Sequence, residues 1–219
     1  MLSKIKISAV VNIMITILVI FATIFMINGI YFMGQETSLT ETGIGLFKFF
    51  TVQSNVLMGI ISFIFALAEI RVMAGKLKEI PTSLYILKMV FTVGVILTFL
   101  TTALYLAPYA KHGYFSMFKN SNLFYHFIVP VLSAITFIFL EKTDKIKFKY
   151  VCMGTIPMLL YGIFYTINIL IHAENGKVLP IYDWYGFAAG GVISIIVVFP
   201  VMLLITYLIS LGLWKFNNL

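Results

Sequence analysis

The sequence has few charged residues for its length and almost no cysteine. Only 11% of its 219 residues are charged, 61% are hydrophobic, and Cys152 is the one cysteine. A single cysteine excludes an internal disulfide and any metal site built from several cysteines. A soluble domain of this size has too small an interior to bury so much apolar surface. The composition therefore predicts an all-α polytopic membrane protein.

Six apolar segments are long enough, at about 20 residues each, to cross a hydrocarbon layer roughly 30 Å thick. They cover about 7–31, 46–69, 84–106, 122–140, 150–171 and 187–213. Because the connecting segments are short, the sequence predicts one six-helix transmembrane domain over residues 1–219. The first segment follows two lysines like a signal peptide, but no small-residue cleavage site comes after it. We expect it to remain as a helix.

Basic residues predict how these segments are oriented. Most lie at the two termini and in the 70–83 and 141–149 loops, and the other side carries only Lys48, Lys111, Lys119 and Lys177. Since basic residues favour the cytoplasmic side, both termini are predicted to be cytoplasmic. The formal charge of +7 forms no patch or stripe, so nucleic acid is not an expected partner. The excess of lysine over arginine is typical of an AT-rich bacterial genome, and we expect a bacterial plasma membrane.

Polar residues are concentrated where two segments enter from the predicted outer side. In KFFTVQSNVL, Thr51, Ser54 and Asn55 share one helix face, and SNLFYHFIVP places His126 in the fourth segment. Thr51 and His126 are predicted to lie at the same depth, about 8 Å below the surface. A histidine inside a span is a functional candidate and can activate a nearby hydroxyl as a general base. The pattern predicts Thr51 and His126 as a catalytic pair, the alternative being polar packing between helices.

The fifth segment carries a second polar stripe, at spacings of four, four, three and four: Pro157, Tyr161, Tyr165, Asn168 and His172. We expect Pro157 to kink this helix. Tyr161 and Tyr165 are predicted to point their hydroxyls into a central cavity, with Asn168 near its mouth. These three residues are candidates for contact with a substrate. Lining of the bundle interior without substrate contact is the alternative.

Charged and aromatic residues elsewhere have simpler explanations. Lys88 is predicted to extend to the headgroups at the inner face, and Glu69 to pair with Arg71 or Lys88. The loop IYDWYGF before the sixth segment is predicted to form part of an interfacial aromatic belt. These residues lie away from the predicted outer site or at its edge.

A metal site is the weaker explanation for the remaining ligand-type residues. Three histidines and one carboxylate fall toward the outer side: His112, His126, His172 and Asp183. Their spacing contains no HExxH or other paired-ligand motif. The sequence therefore predicts neither a metal ion nor another cofactor.

The motifs KFFTVQSN and YHFIVP, in a chain of six short-looped helices, resemble the androgen-induced-protein and androgen-dependent TFPI-regulating protein family of membrane hydrolases. The FFTVQSN motif is closest to the bacterial relatives of that family, which have no settled activity. The better-known members are threonine hydrolases that cleave esters of hydroxy fatty acids with fatty acids. Their nucleophile is a threonine in the second helix and their essential histidine lies in the fourth. The resemblance implies these roles for Thr51 and His126, with Tyr125 standing where the animal proteins commonly have asparagine.

These observations together predict an intramembrane lipid ester hydrolase or acyltransferase, with Ser54, Asn55 or Tyr165 stabilising the oxyanion. Membrane lipids are the expected substrates, and no oligomeric state is predicted. One alternative is a small transporter or channel, which requires polar residues that continue to the inner face. The second, fourth and fifth segments become apolar in their inner halves, which favours the enzyme. A non-catalytic protein that binds a lipid or a partner is the other alternative.

Overall fold

The computed structural model describes residues 2–34 and 41–218. Those residues form helices and connecting loops without a β-strand, and six helices are long and apolar enough to cross a membrane. The predicted all-α membrane fold is therefore confirmed. The six helices are α1 (Leu2–Ile27), α2 (Phe50–Met73), α3 (Thr82–Tyr109), α4 (Ser121–Leu140), α5 (Phe148–Ile171) and α6 (Val192–Asn217).

Two helices begin later than the sequence predicts. Each spanning segment is helical because lipid offers no partner for an unpaired backbone N–H or C=O group. The hydropathy pattern, however, does not show at which residue each helix begins. Residues Gly43–Lys48 form a separate 3-10 helix, and Phe49 is extended, so α2 begins at Phe50 rather than near residue 46. The sixth helix begins at Val192 rather than near residue 187, after Gly191 with a φ of 92°.

Prolines disturb the helical hydrogen-bonding pattern in α3 and α4. Pro108 has no N–H to donate to the carbonyl of Leu104, and α3 widens into a π-helical turn at Thr102–Leu106. Pro130 likewise leaves the carbonyl of His126 without its usual partner, beside a second π-helical turn at Phe124–Ile128. Pro157, in contrast, lies in the first turn of the α-helical part of α5, directly after the 3-10 segment Phe148–Thr155, where its missing N–H removes no intrahelical bond. The predicted kink at Pro157 stays a prediction.

The helices α1 and α2 pack closely through Gly59. A Cβ atom at Gly59 would lie 2.8 Å from Val19 Cγ1, and the Thr16 hydroxyl donates to the Gly59 carbonyl at 3.1 Å. Around this contact, buried apolar residues from four helices form one cluster, which we term the apolar layer: Ile15, Val19, Met58, Ile61, Val95 and Val129. Its residues lie midway along α1, α2, α3 and α4, between two polar ends of the bundle, the Thr51 end and the Glu141 end.

At the Thr51 end, the loop between α5 and α6 folds back against the bundle. Tyr165 donates a hydrogen bond to the Asp183 carboxylate, whose other oxygen accepts from the Ala188 N–H at 2.9 Å. The Trp184 indole N–H donates to the Tyr161 hydroxyl at 2.9 Å. These bonds turn the loop inward against the bundle, and the predicted interfacial aromatic belt stays a prediction.

The Glu141 end contains a buried cluster of polar residues that was not predicted from the sequence. We call it the distal cluster, and it consists of Ser8, Asn12, Ser62, Glu69, Lys88 and Glu141. Lys88 is 0% exposed and donates to Asn12 Oδ1 and to Ser62 Oγ. The prediction that Lys88 extends to the headgroups is therefore wrong. The half of α2 at this end is not apolar either, because Ser62 and Glu69 lie there.

Candidate functional site

A cavity of about 1050 Å³ lies at the Thr51 end of the bundle. A cavity of this volume is large enough to hold a small-molecule ligand. Both predicted catalytic residues, Thr51 and His126, contribute to its wall. The rest of the wall is mixed and includes Leu46, Phe49, Val52, Leu106, Met117 and Trp184 among its apolar members, and Asn122 and Tyr185 among its polar ones. The structure therefore brings the two predicted residues to one space.

Thr51 is the second residue of α2 and is partly buried. Its backbone N–H belongs to the first turn, where N–H groups have no partner inside the helix. Thr51 lies in the first turn of α2, whereas His126 lies more than one turn inside α4. The position of Thr51 follows from the later start of α2. It places the Thr51 hydroxyl beside the positive end of the helix dipole, which favours a developing negative charge.

His126 is 1% exposed and lies in the π-helical turn of α4. Its Nδ1 is 3.0 Å from the backbone carbonyl oxygen of Met117. A carbonyl only accepts hydrogen bonds, so Nδ1 carries the hydrogen of the neutral ring. This leaves Nε2 without a hydrogen and able to accept a proton. The Met117 carbonyl thus selects the tautomer that a general base needs.

Among the described residues, no direct hydrogen bond joins Thr51 to His126. Each side chain has another contact: His126 bonds to the Met117 carbonyl, and the Thr51 hydroxyl lies within hydrogen-bonding range of Tyr185. In an enzyme without bound substrate, the general base is often too far from the nucleophile for a direct hydrogen bond, and it can then act through one water molecule. The shared cavity provides the space for such a water or for a substrate group.

Tyr185 is the residue of this site that the sequence analysis did not identify as functional. Its hydroxyl accepts from the Phe50 N–H at 3.0 Å and also lies within range of the Thr51 N–H. Burial raises the pKa of the Tyr185 hydroxyl, and the hydrogen bonds from Thr51 oppose that rise. Because Tyr185 follows α5 in a loop, no helical spacing relates it to Thr51. The cluster of aromatic residues in IYDWYGF is the only signal that the sequence offers.

Ser54 and Asn55 face other helices rather than the cavity. Ser54 donates to the Thr51 carbonyl at 3.1 Å and lies 3.3 Å from the Thr98 hydroxyl on α3. The Asn55 amide donates to the Thr51 carbonyl at 2.8 Å and to the Tyr125 carbonyl at 3.2 Å. Asn55 therefore links α2 to the residue before His126. Both candidates have protein acceptors for their donors, which suits packing and positioning better than contact with an oxyanion.

The α5 stripe supports the folded-back loop instead of lining the main cavity. Tyr161 donates to the Lys48 carbonyl at 2.9 Å, Tyr165 donates to Asp183, and the Asn168 amide donates to the Tyr182 carbonyl at 2.8 Å. The structure does not bring Tyr165 or Asn168 to the wall shared by Thr51 and His126. Tyr161 comes nearer, because with Thr51 and Tyr185 it borders a small adjoining void.

The residues considered as metal ligands have separate surroundings. His172 Nδ1 donates to the Asn168 carbonyl at 2.8 Å, Asp183 accepts from Tyr165, and His112 is exposed at the rim of the cavity. Over residues 2–34 and 41–218, no group of three or more His, Cys, Asp or Glu side chains could hold a metal ion. The arrangement at the Thr51 end is that of a hydroxyl, an imidazole and a phenol around a cavity.

Comparison with protein-family models, with curated proteins and with solved structures finds no match to this chain.

Proposed function

We propose that the cavity at the Thr51 end is the active site of an intramembrane lipid ester hydrolase or acyltransferase. One observation carries this proposal: Thr51 and His126, from two different helices, line the same cavity. The Met117 carbonyl adds to it, because it leaves His126 Nε2 free to accept a proton. The resemblance of KFFTVQSN and YHFIVP to a family of threonine hydrolases supports the same two residues.

The proposed reaction begins with attack of the Thr51 hydroxyl oxygen on an ester carbonyl carbon. His126 Nε2 takes the hydroxyl proton, directly or through one water, and later gives it to the departing alcohol. The acyl group is then held as an ester on Thr51. Water, activated by His126, releases it as a fatty acid and restores the Thr51 hydroxyl. A lipid alcohol in place of water gives acyl transfer instead of hydrolysis.

Thr51 and Tyr185 are the best-placed donors for the oxyanion of the tetrahedral intermediate. The Thr51 N–H lies at the start of α2 and the Tyr185 hydroxyl lies beside it. Donors that are already in place where negative charge develops lower the barrier most in a site of low polarity. This assignment replaces Ser54, Asn55 and Tyr165, because Thr51 and Tyr185 line the cavity and those three residues do not.

Membrane lipids are the proposed substrates because the cavity lies near the end of the bundle and has apolar wall residues for an acyl chain. Leu46, Phe49 and Met117 provide such surface, and Lys111 and His112 lie at the exposed rim. A site at this end is open to the water that deacylation consumes. An apolar surface combined with placed polar groups is common in ligand-binding cavities.

A transporter is the alternative favoured by the polar groups at both ends of the bundle. The apolar layer argues against it, because on each of α1, α2, α3 and α4 an apolar layer residue lies between the two ends. A non-catalytic lipid-binding protein is compatible with the same cavity. It differs from an enzyme in needing no proton acceptor at His126 and no nucleophile at Thr51.

The proposal is tested by labelling the purified, detergent-solubilised protein with a fluorophosphonate and by turnover of a fluorogenic fatty acyl ester in mixed micelles. We expect Thr51→Ala and His126→Ala to abolish both signals, and Thr51→Ser to retain labelling. Loss of a positioned base costs about 10²- to 10⁴-fold in rate. Thr155→Ala and His172→Ala are matched controls outside the cavity and should keep wild-type labelling.

Two results would contradict the assignment, provided that each variant elutes as a folded monodisperse species. Labelling that survives Thr51→Ala would exclude Thr51 as the nucleophile, and Ser54 would be tested next. A folded wild type that neither reacts with the probe nor hydrolyses the ester, yet binds it, would favour the lipid-binding alternative.

A further inference from the structure

The distal cluster buries three ionisable side chains at the Glu141 end. Glu69 on α2 is 1% exposed, Lys88 on α3 is 0% exposed, and Glu141, just after α4, is 2% exposed. Asn12 on α1 contacts all three: its carbonyl oxygen accepts from Lys88 and its amide donates to both glutamates. The cluster therefore joins four helices through one asparagine.

The charges of this cluster do not balance. Two ionised carboxylates and one ammonium leave one negative charge, and an unpaired charge in a buried site is strongly unfavourable. Tyr85 on α3 also interacts electrostatically with Glu69 and Glu141, and its side chain supplies no positive charge. Lys145, in the loop that follows Glu141, forms an ion pair with Glu79 at 2.7 Å.

Lys88 forms an ion pair with only one of the two carboxylates. Glu141 Oε1 lies 3.7 Å from Lys88 Nζ and accepts from the Asn12 amide at 2.7 Å. Glu69 Oε2 accepts from the same amide at 3.3 Å, and no ion pair of Glu69 with a basic residue is found in the described part of the chain. The excess negative charge therefore falls on Glu69.

The network also contains one hydrogen-bond acceptor that has no donor. Glu141 Oε2 is buried and has no hydrogen-bond partner among the described residues, although Oε1 of the same carboxylate has several. Because both glutamates accept from one Asn12 amide group, their carboxyl groups lie near each other. A single proton would neutralise the excess negative charge and would also provide a hydrogen-bond donor for Glu141 Oε2.

We propose that Glu69 and Glu141 together bind one exchangeable proton at the Glu141 end of the bundle. The proton makes Glu69 neutral and leaves Glu141 as the partner of Lys88. Glu69 lies about one turn from the end of α2, and Glu141 directly follows α4, so both are near the bulk solution on that side. The site is separated from Thr51 by the apolar layer and does not depend on the proposed hydrolase activity.

A bound proton makes stability depend on pH with a defined sign. The unfolded chain releases it above about pH 4.3, the ordinary value for glutamate. Wherever the folded state holds one proton more than the unfolded state, the folding equilibrium constant falls tenfold for each unit rise in pH. Glu69→Gln supplies a permanently neutral side chain of the same shape and should remove this slope.

The test is infrared difference spectroscopy of the detergent-solubilised protein at pH 7, reading the carbonyl band that only a protonated carboxylic acid gives. We expect one such band in the wild type and its loss in Glu69→Gln and in Glu141→Gln, because either variant leaves one carboxylate for one lysine. Glu79→Gln, which removes an exposed carboxylate, is the control and should keep the band.

Two outcomes overturn the proposal. One is a folded wild type without the band, and the other is a band that persists in Glu69→Gln. Glu141→Gln removes the partner of Lys88 and can fail to fold, but Glu69→Gln keeps the Lys88 pair and suffices alone. Its pH profile gives a second measurement, in which a slope as steep as that of the wild type also counts against the shared proton.

Discussion

The close contact of α1 with α2 provides a direct test of the helix rotation on which the candidate site depends. Gly59 faces Val19, and a Cβ added there would lie 2.8 Å from Val19 Cγ1 and 3.0 Å from Val19 Cβ. Val19 is 4% exposed, and a β-branched side chain in a helix has essentially one χ1 rotamer, so it cannot turn away. The Thr16–Gly59 hydrogen bond holds the two backbones together.

The expected effect of Gly59→Ala is the balance of two terms. Alanine favours a helix over glycine by about 0.8–1 kcal/mol. Overpacking a well-packed interior costs about 1–3 kcal/mol. Gly212 lies inside α6, and a Cβ added there would have nothing within 4 Å. Gly212→Ala therefore gains the higher helix propensity of alanine without the cost of overpacking. We therefore expect Gly59→Ala to be about 1–3 kcal/mol less stable than Gly212→Ala.

The measurement is unfolding in mixed micelles with increasing sodium dodecyl sulfate, followed by tryptophan fluorescence. Val19→Ala should recover part of the loss in the double variant, because it removes the Cγ atoms but leaves Cβ in place. A double-mutant cycle then isolates the contact from the helix propensity. If Gly59→Ala and Gly212→Ala are equally stable, α2 does not present this face to α1, and the placement of Thr51 in the cavity loses its support.

Three further changes test other contacts. Asn55→Ala removes the amide that joins α2 to α4; we expect about 1 kcal/mol lower stability and at least about tenfold slower ester turnover, because misplaced groups react poorly. Tyr165→Phe leaves the Asp183 carboxylate short of a donor and should lower stability by about 2 kcal/mol in the same micelle assay. Lys145 lowers the pKa of the Glu79 carboxyl, so this pair stabilises the fold above that pKa and loses its effect as pH falls through it. Because both side chains are partly or largely exposed, the stabilisation by this pair is too small to measure, and salt screens it further. Glu79→Gln should therefore leave the unfolding midpoint at pH 7 unchanged within error, at low and at high salt.

The sequence predicts the six helices well because each must contain enough apolar residues to cross the bilayer. It also selects Thr51 and His126, since a histidine and a polar cluster are costly inside a span. It fails for Tyr185, because a long-range contact from a loop has no periodicity to reveal it. It fails for Lys88 because the partners of that side chain, Asn12 and Glu141, come from distant parts of the chain.

Hydropathy also conceals the rotation of α2, since lipid-facing and buried sides of a membrane helix are both apolar. A different pattern reveals it. Small and polar residues recur at spacings of four, four, three, four and three along one line: Thr51, Asn55, Gly59, Ser62, Ala66 and Glu69. All but Thr51 are buried, and Thr51 is partly buried, whereas Leu57, Ile60 and Phe63 are exposed.

This line explains how one helix serves both ends of the bundle. Small residues allow close approach to neighbouring helices, and polar residues need partners away from lipid, so both are placed on the inward face. The same rotation that packs Gly59 against Val19 turns Thr51 toward the cavity and Glu69 toward Asn12. The position of Thr51 is therefore not an independent feature of the site, but a consequence of the packing along the whole length of α2.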